Sequence, residues 1–191
     1  MIHELVLKSR TIRSFDESKP VGEERLKALI DTARLSPSAR NMQALKYKLI
    51  YDKEGLDTMM SLTRWGGATP GLFLPPKGHY PTAFIVICND AECTPEYVRW
   101  LTFDAGLATE AIILRANEMG LGGCVLGAIS PDKIKEALKL DERYKPIIVI
   151  GLGTPDEEAK VVDMKDGKVD YYRDENNVNC VPKRSLEEVL I

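Results

Sequence analysis

The run Ala83-Phe-Ile-Val-Ile-Cys88 contains no polar residue. Side chains along a strand alternate between faces, so an unbroken apolar run reads as a strand buried on both sides. A second such run, within Lys145-Pro-Ile-Ile-Val-Ile150, leads into Gly-Leu-Gly-Thr-Pro155. Strands without a polar face need a sizeable core around them. A chain of 191 residues is long enough to build one as a single domain, 1–191.

Several function classes fall away at once. A net charge of −3 gives no global field for nucleic acid or an anionic membrane. No apolar run approaches the ~20 residues that span a bilayer. Met1 to Ser14 lacks the apolar core and cleavage site of a signal peptide. Cys88, Cys93, Cys124 and Cys180 form neither a CxxC nor a zinc pattern, and no disulfide scaffold is indicated. The expectation is a cytoplasmic protein with reduced thiols and no metal.

Ile2, Leu5 and Val6 recur at helical spacing, and Leu26, Leu29, Ile30 and Ala33 line one face of a second helix that opens with Glu23 and Glu24. Ser36-Pro37-Ser38 ends that helix. Leu45, Tyr47, Leu49 and Tyr51 then alternate with Lys46 and Lys48, as in a half-buried strand, and a short helix follows over Lys53 to Leu62. Arg64 to Pro81 is too rich in Gly and Pro for regular structure, yet it carries Trp65, Phe73 and Tyr80. Such a loop reads as a substrate-side loop. Trp65 and Tyr80 serve equally well as loop anchors or as substrate platforms.

The longest helix starts at Thr94-Pro95, with Thr as N-cap and Pro at the first turn. Its stripe is Val98, Leu101, Ala105, Ala108, Ile112 and Ala116, and Gly120 closes it. Small residues at Ala105, Gly106 and Ala108 suit close packing, including against a second copy. Gly120-Leu-Gly-Gly-Cys-Val-Leu-Gly127 resembles a phosphate loop only superficially. Its glycines end a helix and open a strand, the reverse of a dinucleotide fingerprint. They also allow a planar ligand to approach the backbone. Ser130-Pro131 caps another short helix. Beyond Pro155 the chain turns polar and acidic, and residues 156–191 read as an arm that wraps a partner subunit.

One segment points to chemistry. Ser9 to Phe15, S-R-T-I-R-S-F, puts Arg10 and Arg13 three residues apart, with a hydroxyl at Thr11. Guanidiniums so close together share an anion or find carboxylates, and Asp16 and Glu17 are the carboxylates at hand. Cys124 reads as a packing residue because no base lies near it in sequence. Cys88 reads as inert, and His3 and His79 show no partner pattern.

Taken together, S-R-T-I-R-S-F, A-R-L-S-P-S-A-R-N-M-Q, D-A-G-L-A-T-E-A-I-I-L-R-A-N-E-M-G-L-G-G-C-V-L-G and V-P-K-R-S-L-E-E-V resemble the nitroreductase family of FMN-dependent oxidoreductases nearly end to end. The resemblance implies an α+β fold around a mainly antiparallel central sheet flanked by helices. It also implies an intertwined homodimer with FMN at the interface and the C-terminal arm exchanged. It assigns Arg10, Thr11 and Arg13 to the phosphate, ribityl chain and pyrimidine end of the flavin. Pro37, Ser38, Ala39, Asn41 and Gln43 match the turn that reaches the cofactor from the other subunit. Cys124, Val125, Leu126 and Gly127 match the strand along the ring, with the Leu126 amide at flavin N5, and Lys183 and Arg184 close on the phosphate.

The activity implied is ping-pong hydride transfer from NADH or NADPH, through the flavin, to a nitroaromatic, quinone or similar acceptor, with no catalytic protein residue. Alternatives are a specialised relative of the dehalogenase or flavin-destructase type and a non-catalytic flavin-binding protein. Ala44 and Leu45, and Asn179 and Cys180, depart from the family pattern on the substrate side.

Overall fold

The computed structural model describes residues 1–66, 74–93 and 98–191. Phe73, Thr94, Pro95 and the side chain of Val98 lie outside them, so the expected cap of the long helix does too. The first apolar run is strand β2 (Ala83–Asp90), buried along its whole length. It lies between β1 (Leu45–Ile50) and β4 (Tyr144–Gly153), and β3 (Gly122–Leu126) flanks β4 on the far side. Every neighbouring pair in this four-stranded sheet is antiparallel.

Alternation along β2 divides the core in two. Ala83, Ile85 and Ile87 pack with Leu26, Leu29 and Ala33 of α2 (Glu23–Ala33) and with Ala108, Ile112 and Ala116 of α4 (Val98–Glu118). Phe84, Val86 and Cys88 pack on the opposite face with Met59 of α3 (Lys53–Leu62) and Ile134 of α5 (Pro131–Ala137). A strand with no polar face has therefore found helices on both sides. On β1 one face is covered throughout and the other only at its end: Leu45, Tyr47 and Leu49 join the α2/α4 layer, Lys46 and Lys48 stay exposed, and Ile50 is buried in the α3/α5 layer.

Helix α4 ends as its glycine requires. Gly120 takes φ +72°, and the Leu121 N–H donates back to the Ala116 carbonyl at 2.8 Å. Its far face is apolar but uncovered: Trp100, Phe103 and Leu107 are exposed. Ser130 occupies the N-cap position of α5 without making the side-chain cap bond that its place suggests. No helix among the described residues is long and apolar enough to cross a membrane.

The polar C-terminal stretch forms a second sheet that composition did not reveal. Strands β5 (Ala159–Asp163), β6 (Tyr172–Arg173) and β7 (Asn179–Lys183) line up in the order β5-β7-β6, with β5 and β7 parallel. The two-residue β6 stops short of Pro182, so that proline meets no ladder on the β6 side. The Met164 N–H donates to the Lys183 carbonyl, and the Asn179 N–H to that of Glu158.

At one end of the main sheet Asp90 is fully buried and accepts two hydrogen bonds from Arg143, at 2.9 and 2.6 Å. The guanidinium beside it holds its carboxyl below the ordinary value of 3.8, against burial, which pushes it up. A depressed carboxylate contributes stability that is complete above the ordinary value and is lost as pH falls through the lower folded value. Arg143→Met should therefore lower stability at neutral pH and flatten the acid limb of the stability profile below about pH 4. Urea denaturation across pH 2–7 measures both, and an unchanged acid limb would show that the pair contributes nothing.

Candidate active site

The site begins with how the N-terminal segment is seated. After α1 (Ile2–Lys8) the chain runs beside β3 and the end of β4. The Ile12 N–H donates to the Gly123 carbonyl at 3.0 Å, Asp16 N–H to Thr154 at 2.9 Å, and Asp156 N–H returns to Ser14 at 2.9 Å. Ile12 and Phe15 point into the protein and are buried. They fit because glycines lie beneath them. A Cβ on Gly122 would meet Ile12 Cγ1 at 2.5 Å, and one on Gly153 would meet Phe15 Cδ1 at 2.8 Å. At Gly123 the conflict is with Ile113 and Leu152.

The expectation that these glycines admit a planar ligand is corrected at Gly122, where Ile12 and Pro155 take the space. Gly123 has no room for a side chain but itself borders a cavity, and Gly120 and Gly127 are open. Gly122→Ala should cost about 1–3 kcal/mol, as overpacking of a filled site does. Urea unfolding reads this, and wild-type stability would contradict the seating.

With Ile12 and Phe15 turned inward, Arg10, Thr11 and Arg13 line a cavity of about 380 Å3. Val125 of β3, Glu110 of α4 and Lys183 at the end of β7 complete its charged and apolar walls. The parity of β3 decides which residues reach it: Val125 is exposed, whereas Cys124 and Leu126 are buried in the core. The Nε atoms of both Arg10 and Arg13 are buried without a hydrogen-bond partner. Arg10 also donates from Nη2 to the Val6 carbonyl, and the Arg13 guanidinium stands 5.1 Å from the Tyr171 ring centroid.

The competing reading, ion pairs with Asp16 or Glu17, does not hold. Asp16 pairs with Lys19 at 2.8 Å, and Glu17 accepts the Tyr80 N–H at 2.7 Å. Neither Arg10 nor Arg13 forms an ion pair among the described residues.

Burial pushes the thiols of both Cys124 and Cys88 up to about 11, so neither is a thiolate near neutral pH. For Cys124 the neighbouring Arg13 pulls the other way without prevailing. Trp65 is an anchor: its Nε1 donates to Thr63 Oγ1 at 3.0 Å, and its ring meets Phe15 and Phe84 edge to face. His79 does have a partner, contrary to expectation. Its Nδ1 lies 2.6 Å from Asp156 Oδ2, a pairing across 77 positions that local sequence does not reveal. Of the loop over Arg64 to Pro81, residues 67–73 lie outside those described.

Pro37, Ser38 and Gln43 border a different cavity, of about 280 Å3, between α2, β1 and α4. The turn leading to it is held by the Ala39 N–H, which donates to Asp104 at 3.0 Å, and by the Gln43 N–H, which donates to Ser38 Oγ at 3.2 Å. Asn41 and Gln43 both take left-handed φ, at 56° and 51°. Within one chain this group is separate from the arginine cavity. Arg184 is also absent from that cavity and pairs with Glu188 at 3.5 Å. Glu110, Ile113, Tyr171 and Val181 line the arginine cavity and were missed. They come from α4 and from the C-terminal sheet, which the sequence did not place beside the N-terminus.

Two buried guanidinium donors without acceptors, a lysine and a hydroxyl around one cavity suit a phosphate monoester, since arginine supplies fixed, permanently charged donors. Glu110 on the same wall is an acceptor for hydroxyl groups. The volume lies in the range of small-ligand sites, about 300–1,000 Å3. The residues present therefore fit a phosphorylated, polyhydroxylated cofactor such as FMN.

Comparison with known proteins agrees with this geometry. FMN reductase (NADPH) of Bacillus subtilis is 28% identical over 171 residues, covering 80% of this chain and 65% of that protein. The solved FMN-dependent nitroreductase of Clostridium difficile R20291 is 29% identical, with a TM-score of 0.68 over 89% of this chain and 95% of that one. A protein of Exiguobacterium sibiricum solved in complex with FMN shares the fold at 20% identity, with a TM-score of 0.68 over 82% and 89% of the two chains. The sequence pattern of the nitroreductase family spans residues 6–68 and 77–154, well over half the chain, and with the antiparallel sheet and the seated arginine segment it establishes that this chain belongs to the nitroreductase family.

Proposed function

We propose that the protein is an NAD(P)H-dependent flavin oxidoreductase that holds FMN in the arginine cavity. The observation that carries this reading is the pair of buried Nε atoms, on Arg10 and Arg13, that lack acceptors beside Lys183. When bound, FMN supplies the two-electron chemistry, taking hydride from NADH or NADPH and passing it to an electrophilic acceptor such as a nitroaromatic or quinone. Arg10 and Lys183 would offset the phosphate charge, and Thr11 and Glu110 would hold the ribityl hydroxyls. Arg13 would hold the pyrimidine end, where a fixed cation stabilises negative charge on a reduced ring. The backbone of Cys124 to Gly127 would hold the ring and offer a donor that does not titrate.

The working unit in this proposal is a homodimer. Pro37, Ser38 and Gln43 border a separate cavity in their own chain, and a second copy is what would bring such a turn to the flavin. The uncovered Trp100, Phe103 and Leu107 on α4 supply an apolar face for that copy. Phe103→Glu should yield monomers by sedimentation, together with a loss of bound flavin. Intact dimers would place the interface elsewhere.

Anaerobic addition of NADH or NADPH should bleach the visible absorbance of the bound flavin, and a spectrum unchanged by either nicotinamide would overturn the proposed activity. Arg10→Ala and Arg13→Ala should each weaken FMN binding by about tenfold or more, the scale of a lost charged hydrogen bond. Thermal unfolding of the flavin-free variants should stay close to that of flavin-free wild type. Wild-type flavin content in both variants would return the segment to a purely structural role.

A further inference from the structure

The Arg13 end of the cavity carries a group that the proposed function does not use. Glu157, just past the end of β4, has a side chain only 5% exposed. Its Oε1 accepts the backbone N–H of Arg13, and its Oε2 meets Arg173 Nη2 at 2.5 Å. Tyr171, two residues before Arg173, lies under the Arg13 guanidinium. Arg13, Glu157, Tyr171, Arg173 and Asn179 also surround a small adjoining void of about 40 Å3. A buried carboxylate thus stands behind a cation assigned to the pyrimidine end of the flavin. Its own counterion comes from the C-terminal sheet.

A negative charge in that place is unfavourable for an anionic cofactor unless it is neutralised. Coulomb interactions fall off slowly in the partly buried interior, so both Glu157 and Arg173 would act on a ring held at Arg13 as well as on each other. The Cys124 thiol already registers both members of the nearer pair: Arg13 lowers its proton affinity and Glu157 raises it.

We infer that Glu157 and Arg173 form an opposed charge pair that sets the reduction potential of the flavin and positions Arg13 against it. This rests on the FMN reading of the same cavity. Two electrons and one proton convert the oxidised ring into its anionic reduced form, adding one negative charge to the ring. The Glu157 carboxylate opposes that charge, and the Arg173 guanidinium supports it. Holding the Arg13 N–H fixes the direction in which its guanidinium leaves the chain. Glu157 and Arg173 are positioning residues, since neither lines the arginine cavity and both act through Arg13 and through their charge.

The test is reductive titration of the FMN-loaded protein against a reference dye, for wild type, E157Q, R173Q, R173K and the double variant E157Q/R173Q. The expected potential is more positive in E157Q and more negative in R173Q, with R173K and the double variant close to wild type. R173Q should also bind FMN roughly tenfold more weakly, as loss of a nearby cation implies. General loosening of the site would move both single variants in the same direction. Shifts of one sign, or none, therefore overturn the inference while leaving the flavin reading intact. If E157Q does not fold, the comparison of R173Q with R173K decides the matter alone, because Arg173 is 31% exposed and tolerates exchange. A wild-type protein that takes up no FMN overturns the flavin reading itself and this inference with it.

Discussion

The seating of Ile12 over Gly122 and of Phe15 over Gly153 is the contact from which the site follows. Both glycines lie on strands of the main sheet and leave room that any side chain would fill. Ile12, Ser14 and Phe15 turn inward, while Arg10, Thr11 and Arg13 border the cavity; the segment is irregular, and its bridges to Gly123 and Pro155 fix which side chains face which way. On β3, strand alternation does the sorting: Cys124 and Leu126 anchor the core and Val125 faces the cavity. Two short stretches, each half core and half site, thus share one packing problem. A change that unseats Ile12 moves both arginines.

Around that contact, charges are arranged so that the cationic cavity stays available. Asp16 is taken by Lys19, Glu17 by the Tyr80 amide, and Glu157 by Arg173 and the Arg13 amide. The carboxylates closest in sequence to Arg10 and Arg13 are occupied elsewhere, and the guanidinium Nε donors remain without acceptors. The C-terminal sheet supplies Lys183 and Asn179 to the cavity and Arg173 behind it. What composition presents as a polar tail is a charged wall of the site.

Much of this was legible in the sequence, for identifiable reasons. Continuous apolar runs marked β2 and β4, and helical spacing marked α2 and α4, because burial imposes strong periodicity there. The Arg10–Arg13 pair, Val125 and Lys183 were singled out through their resemblance to a family, and they do border one cavity. Strands β5 to β7 were not legible, since they are short, polar and half exposed. Glu110, Tyr171 and Glu157 escaped because only tertiary pairing brings them to Arg13. His79 with Asp156 escaped for the same reason. The glycines of β3 were marked as sites of close approach; what approaches Gly122 is the protein itself, while Gly123 borders the cavity.

Pro37, Ser38 and Gln43 lie apart from the arginine cavity, while α4 leaves an apolar face uncovered. The proposed homodimer would reconcile the two, with a second copy completing the site. Where the phosphate binds decides between the two cavities, and a crystal structure of the protein grown with FMN reads this directly. It should show phosphate oxygens within hydrogen-bond distance of Arg10 and Lys183, with the ring beside Val125 and Arg13. Phosphate bound instead at Arg34 and Lys46 in the second cavity, or an arginine cavity filled by protein side chains, would contradict it.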